Sequence, residues 1–287
     1  MKSGFVVFFG RANVGKTSLI NSLIGEKIGI VSDKPQTTRI RTSYVESSED
    51  YQIVYVDSPG VHNSKNLLHE RLNKKIFDSL ESFEIIVHVV NPKAAFDEFD
   101  LDIQKKISNN RPRYLVVNKV DLKDLEILDI DKSILSFYDK VFYTSAKNSI
   151  GIDALKMAII NELHDGPMWY PKDMKTDMPK EMVVSEIIRE KILHLVKKEV
   201  PHGVFVLVEK FVDNKNNLFI EANIVVEKET HKPILIGNKG SMIKNIGIDS
   251  RLEIEKIFNK KCILKLFVSV EENWRNSDSS LRRFGLW

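Results

Sequence analysis

Short apolar runs alternate with amphipathic stretches through the first half of the chain. Phe5–Phe9, Gln52–Asp57, Ile85–Asn91, Tyr114–Asn118 and Val141–Thr144 read as strands, and most are separated by helical patterns. Runs without polar alternation belong to strands buried on both faces. The pattern predicts an α/β fold, a mostly parallel sheet with helices on both faces and ligand groups on the loops at the strands' carboxyl ends. Ile40–Glu46, one polar turn (Ser47–Asp50) before Gln52–Asp57, predicts an antiparallel hairpin on that sheet.

Residues 166–180 break the pattern with Pro167, Pro171 and Pro179 and read as a linker between a domain over 1–165 and another over 181–287. From Glu181 a helix is expected to about Lys198, then strands over Gly203–Val212 and Leu218–Glu229 around a polar Asp213–Asn217 turn. Helical and turn-like sequence follows to Asn259, then a strand over Cys262–Val270. Helix, strand, strand, helix, helix, strand describes a smaller α+β domain. No internal repeat interrupts either half.

Composition narrows the classes. A length of 287 residues fits two domains. Residues 1–165 hold 22 Lys and Arg against 23 Asp and Glu, and residues 166–287 hold 21 against 17, so the halves carry −1 and +4. A modestly basic second half permits a polyanionic partner without requiring one. The single Cys262 excludes an internal disulfide framework and fits a reducing compartment. With no long apolar stretch and no targeting pattern at the N-terminus, the chain reads as cytoplasmic.

Gly10-Arg11-Ala12-Asn13-Val14-Gly15-Lys16-Thr17 stands between the first strand and a helical stretch. It matches G-x-x-x-x-G-K-[ST], in which backbone N–H groups cradle phosphates, the lysine reaches the β and γ phosphates and the hydroxyl ligates Mg²⁺. A helix N-terminus behind the loop favours the anion. Asp57-Ser58-Pro59-Gly60 ends a strand where a carboxylate can hold Mg²⁺ through water and a glycine N–H can meet the γ-phosphate. Asn118-Lys119-Val120-Asp121 supplies the base reader: a carboxylate accepts from guanine N1–H and N2–H₂, a donor pair that adenine lacks. Thr144-Ser145-Ala146-Lys147 closes the base pocket, with the Ala146 N–H directed at guanine O6. GTP and GDP are the nucleotides expected.

These motifs together resemble the translation-factor-related GTPases, so the first domain is expected to be a Ras-like P-loop GTPase. Lys34-Pro35-Gln36-Thr37-Thr38-Arg39 fits the first switch of that class, with Thr38 taken as the Mg²⁺ ligand and Thr37 as the neighbouring alternative. The metal set is then Thr17, Thr38 and Asp57. Where many GTPases carry a water-orienting glutamine after DxxG, this chain has Val61, an apolar side chain that cannot orient water. Asn13 in the phosphate loop resembles GTPases that recruit K⁺ to the place of an arginine finger, which implies slow, K⁺-stimulated hydrolysis. Lys16, Thr38, Gly60 and Asn13 form the catalytic set, and His62 is left outside it.

In the second half Ile236-Gly237-Asn238-Lys239-Gly240 has the IGxxG form of a KH module, with Lys244 and Arg251 adding charge near a groove for single-stranded bases. Ile243 and Ile246 are expected beside that groove. Few aromatics lie nearby, so backbone contacts must carry more than ring stacking.

The order GRANVGKT, PQTTR, DSPG, NKVD, SA, SEIIREKI, IGNKG and SLRRFG covers nearly the whole chain and resembles the Era family of ribosome-associated GTPases. Ala12 replaces the family's usual proline and Thr17 its commoner serine, with the hydroxyl retained. The resemblance implies a type II KH domain, binding of the 3′ region of 16S rRNA, a role in 30S subunit assembly and 16S rRNA maturation, and peripheral contact with the inner face of the cell membrane. The chain is expected to act as a monomer. The alternatives are a tRNA-modification or other RNA-associated GTPase, and an RNA-binding module with a non-switching nucleotide site.

Overall fold

The structure is a computed structural model that describes residues 1–31, 38–61, 66–92, 98–107, 110–122, 130–196 and 200–286. The chain divides into two compact units, Met1–Ser64 with His69–Asp177, and Lys65–Leu68 with Met178–Trp287. Among the described residues no helix is long and apolar enough to cross a membrane.

In order, the first half contains β1 (Lys2–Phe9), α1 (Lys16–Ile24), β2 (Thr42–Ser47), β3 (Tyr51–Asp57), α2 (Leu67–Ser79), β4 (Ile85–Val90), α3 (Glu98–Lys105), β5 (Arg113–Asn118), α4 (Lys132–Leu135), β6 (Lys140–Thr144) and α5 (Ile152–Glu162). The sheet order is β2-β3-β1-β4-β5-β6, parallel except for β2, which pairs antiparallel with β3 as the hairpin pattern predicts. Successive side chains of β1 enter opposite cores. Val6 and Phe8 pack with Leu19, Ile20 and Leu23 of α1 and Leu155 and Ile159 of α5. Val7 and Phe9 pack with Ile76 of α2 and Ile103 of α3. Burial on both faces is why these strands lack polar alternation.

This topology gathers the motifs at one edge. Parallel strands bring the residues after β1, β3, β5 and β6 to the same carboxyl side. The antiparallel register Thr42↔Asp57 makes β2 begin where β3 ends, so the chain just before β2 arrives at that edge too.

Residues 166–177, expected within the linker, are bonded to the first unit. Gln52 is fully buried; its Oε1 accepts from the N–H groups of Trp169 (2.7 Å) and Tyr170 (3.0 Å), and its Nε2 donates to Tyr170 O (2.8 Å). Val45 N–H donates to Lys175 O (2.9 Å), Thr176 Oγ1 to Ser43 O (2.9 Å) and Ser43 N–H to Asp177 Oδ1 (3.1 Å). The segment thereby covers the open edge of β2, whose backbone groups otherwise lack a ladder partner.

The second unit contains α6 (Lys180–Leu195), β7 (Val204–Asp213), β8 (Asn217–Val226), α7 (Lys232–Ile236), α8 (Ser241–Phe258), β9 (Lys261–Val270) and α9 (Asp278–Arg283). β7 and β8 are antiparallel, β8 and β9 parallel, and one face of the sheet packs on α6 and α8 through Val204, Ile220, Ile224, Ile188 and Ile254. The order of elements is the expected one. Two limits differ. Helix α6 ends at Leu195 rather than near Lys198, with 197–199 outside the described residues, and β8 stops at Val226 because Glu229–His231 turn as 3-10 helix. α9 is too short to show periodicity, yet Phe284 just beyond it stacks on Phe205 at 4.3 Å, and the buried Trp274 donates Nε1–H to Gly203 O (3.0 Å).

Candidate functional site

A cavity of about 410 Å³ lies at the carboxyl edge of the six-stranded sheet, lined by Asn13, Lys16, Thr17, Thr38, Gly60, Asn118, Lys119, Asp121 and Ala146, among others. All the guanine-nucleotide motifs therefore meet in one place. Gly15 caps α1 at φ 94, and a Cβ there would stand 2.4 Å from Asn118 Nδ2, so only glycine allows the base-side loop to close on the phosphate loop. Lys16 Nζ donates to the carbonyls of Gly10 (3.2 Å) and Arg11 (2.9 Å). Burial lowers its pKa to about 8 against the pull of Asp57. A buried ammonium at the end of a glycine loop and the start of a helix suits an anion such as phosphate.

Thr17 Oγ1 donates to Asp57 Oδ2 (2.5 Å), Thr38 Oγ1 donates to the same oxygen (3.2 Å), and the two hydroxyls are 3.0 Å apart. Three hard oxygen donors converging beside a phosphate loop fit Mg²⁺. Thr37 and the rest of Lys34–Gln36 lie outside the described residues, as does His62.

Asn118 ties the loops together. Its Nδ2 donates to Val14 O (3.0 Å), and its Oδ1 accepts from Thr144 Oγ1 (3.1 Å) and the Ala146 N–H (3.2 Å). Lys119 Nζ donates to Asn13 O (2.9 Å), and Ser145 Oγ donates to Asp121 Oδ1 (2.6 Å), which orients that carboxylate at the cavity wall.

Several expected residues frame the cavity without facing it. Val61 is buried in the apolar cluster with Val7 and Val56, and its N–H donates to Gly10 O (3.0 Å), so neither its side chain nor its amide is turned to the cavity. Ser58 Oγ donates to Phe8 O (2.9 Å), and Val14, Val120 and Thr144 are buried. Pro59 and Gly10 also fall outside the lining, and the Arg11 side chain turns to α3. Lys147, the last residue of the expected base-pocket segment, lines the cavity, and Ser18, Ile30, Val31 and Leu122 line it beyond the expected set. Ser18 and Leu122 directly follow recognised motifs, which is the signal that finds them; Ile30 and Val31 carry none.

In the second unit the IGxxG segment joins α7 to α8. Gly237 has φ 74 and ψ 176, and a Cβ there would meet Met242 Cβ and N at 2.7 Å. Lys239 at φ 49 and Gly240 at φ 78 complete a tight exposed turn. Asn238, Lys239 and Lys244 are exposed and Ile236 half-buried. Lys244 and Arg251, two turns apart, share an exposed stripe of α8 with Ile248 and Leu252. Ile246 corrects the expected groove: with Ser250 and Ile254 it faces the sheet and is fully buried, while Ile234, Ile248 and Leu252 are among the exposed apolar groups.

A family model described as 50S ribosome-binding GTPase matches residues 5–119, and a KH-domain model matches 199–275. The GTPase Era of Carboxydothermus hydrogenoformans is 41% identical over 290 residues, spanning 99% of this chain and 97% of that protein. The chain belongs to the Era family of GTPases. The GTPase Era of Thermotoga petrophila is 40% identical over 97% of this chain and 95% of its own length. Two solved Era structures, each 31% identical and covering 100% of this chain and 99% of their own, share the fold. One is a variant of Aquifex aeolicus Era bound to GDP·AlF₄⁻ (TM-score 0.90); the other is Era in complex with MgGDPNP and nucleotides 1506–1542 of 16S ribosomal RNA (TM-score 0.91). The fold is therefore a P-loop GTPase domain followed by a KH domain, and the reaction is hydrolysis of GTP.

Proposed function

We propose that this GTPase binds GTP in the cavity of its first domain (residues 1–165), binds the 3′ region of 16S rRNA through residues 181–287, and acts in 30S subunit assembly and 16S rRNA maturation. The convergence of Thr17, Thr38 and Asp57 beside Lys16 is the observation that carries the nucleotide reading. Mg²⁺, when bound, neutralises charge on the β and γ phosphates. Thr17, Thr38 and Asp57 would hold it. Lys16 meets the same phosphates, Gly60 lends a backbone N–H to the γ-phosphate, and Asp121 selects guanine.

Hydrolysis in this reading is slow, because Val61 packs in the core and supplies no group to orient water. Asn13, which lines the cavity at φ 63, is the K⁺-recruiting residue. Turnover in K⁺ and Na⁺ at equal ionic strength tests this: equal rates would remove Asn13 from the catalytic set.

The RNA reading draws support from the exposed Gly237–Gly240 turn between two helices, the form in which a KH loop clamps a sugar-phosphate backbone. It also draws on the relative solved with nucleotides 1506–1542 of 16S rRNA. The protein is read as a cytoplasmic monomer that touches the inner face of the membrane only peripherally. Crosslinking in cells, wild type against Lys239→Ala with Lys244→Ala, tests the partner. Reads concentrated at the 16S 3′ end and lost in the variant are expected; reads spread over tRNA would overturn it.

A further inference from the structure

Asp100, the third residue of α3, is 1% exposed, and its Oδ1 lies 2.9 Å from Arg11 Nε. The Arg11 guanidinium also sits over the ring of the neighbouring Phe99, 4.9 Å from its centre. Arg11 is the second residue of the phosphate loop, and its carbonyl accepts from Lys16 Nζ at 2.9 Å. One residue thus carries both a backbone oxygen facing the phosphate-binding lysine and a side chain anchored on a helix nearly ninety positions away.

Two positions on, Asn13 adopts φ 63, a left-handed conformation for a residue with a Cβ. Asparagine tolerates that conformation better than most residues with a Cβ, and here the neighbouring contacts hold it in place. Lys119 holds Asn13 from the base side through its carbonyl. Arg11 and Asp100 hold the same stretch from the other. A buried carboxylate is strongly disfavoured unless it keeps its cation, so Asp100 fixes the guanidinium, and the guanidinium's planar fork fixes the loop.

We propose that Asp100 is a positioning residue of the nucleotide site, holding the Arg11–Asn13 stretch of the phosphate loop in register for the nucleotide's phosphates through its ion pair with Arg11. This rests on the GTP-site reading given above. Release of a fluorescent GDP analogue from the full-length chain tests it. By analogy with other outer-shell partners, Asp100→Asn is expected to speed release about tenfold, and Asp100→Glu to restore it to within about threefold. Arg11→Gln should match Asp100→Asn, and the double variant should be no faster than the faster single one.

A merely structural carboxylate would lower the melting temperature and leave release unchanged well below it. Wild-type release from a folded Asp100→Asn protein, or single effects that multiply in the double variant, would overturn the role. Where Asp100→Asn does not fold, Arg11→Gln, at a partly exposed position, carries the test, and wild-type release from it overturns the role equally. A wild-type protein that bound no guanine nucleotide would overturn the site reading and this role with it, whereas unchanged release in the variants overturns only the role of Asp100.

Discussion

Thr17 and Asp57 stand forty positions apart, yet the threonine hydroxyl donates to Asp57 Oδ2 at 2.5 Å. Thr17 is the second residue of α1 and Asp57 closes β3. Parallel pairing of β1 and β3, with Phe8 opposite Asp57, sets the two loop ends side by side and makes the contact possible. Thr38 joins them because β2 runs antiparallel and starts opposite Asp57.

Thr38→Ala should separate hydrolysis from nucleotide retention. Its hydroxyl lies in the oxygen cluster but belongs to the segment leading into β2, which responds to the γ-phosphate in the switch reading. Single-turnover hydrolysis is expected to fall on the order of 10²-fold, with GDP affinity held within about twofold. An equal loss of GDP affinity would contradict the assignment.

Asp121→Asn should change the base. The carboxylate, oriented by Ser145 Oγ, is a pure acceptor that suits the N1–H and N2–H₂ donors of guanine. An amide presents a donor where xanthine offers an oxygen. Competition binding is expected to show GTP weakened by about 10²-fold or more and xanthosine triphosphate gained.

The pH dependence of binding follows from Lys16. Its pKa in the folded chain is lowered to about 8, chiefly by burial, against 10.5 for an ordinary lysine. Between those values the unfolded chain binds more protons than the folded one, so this group's contribution to stability rises as pH climbs from about 8 to 10.5. Nucleotide affinity moves the other way, because above pH 8 the neutral amine must regain a proton to meet phosphate. Calorimetry at pH 8.5 in two buffers of different ionisation enthalpy should show proton uptake on GDP binding that is lost in Lys16→Met.

Gln52→Leu tests the segment beyond the first domain's last helix. The substitution removes the acceptor for the Trp169 and Tyr170 N–H groups and the donor to Tyr170 O. These backbone groups are part-buried, so water can replace part of what is lost, and denaturant unfolding should show a loss of about 1–2 kcal/mol. Amide exchange at Trp169 and Tyr170 should accelerate with it. Unchanged exchange would mean that the contacts along β2 alone fix the segment.

Much of the nucleotide site was legible because its motifs are local. Each is a strand followed at once by the residues that its loop must carry, and glycine, lysine and carboxylate positions there answer to backbone geometry and charge. Val61 was legible as an absence of glutamine, but its burial in the core was not. Ile246 shows the limit of composition: an isoleucine beside a glycine loop reads as groove lining, and only the rotation of α8 about its axis turns it to the sheet and Ile248 and Leu252 to solvent. Residues 166–177 read as a linker because prolines hide periodicity, and the open edge of β2 that they cover is a property of strand order.

The sequence by itself determined the elements, their order, the phosphate and guanine motifs and the glycine turn of the second domain, since each rests on interactions among residues a few positions apart. Tertiary structure decided which of those residues share a cavity, that Thr38 reaches Asp57, and that Asp100 of α3 anchors Arg11 of the phosphate loop. Those contacts depend on strand order, register and helix rotation. These are set by how two apolar faces of one sheet are best covered, a condition on the whole chain that no local stretch encodes.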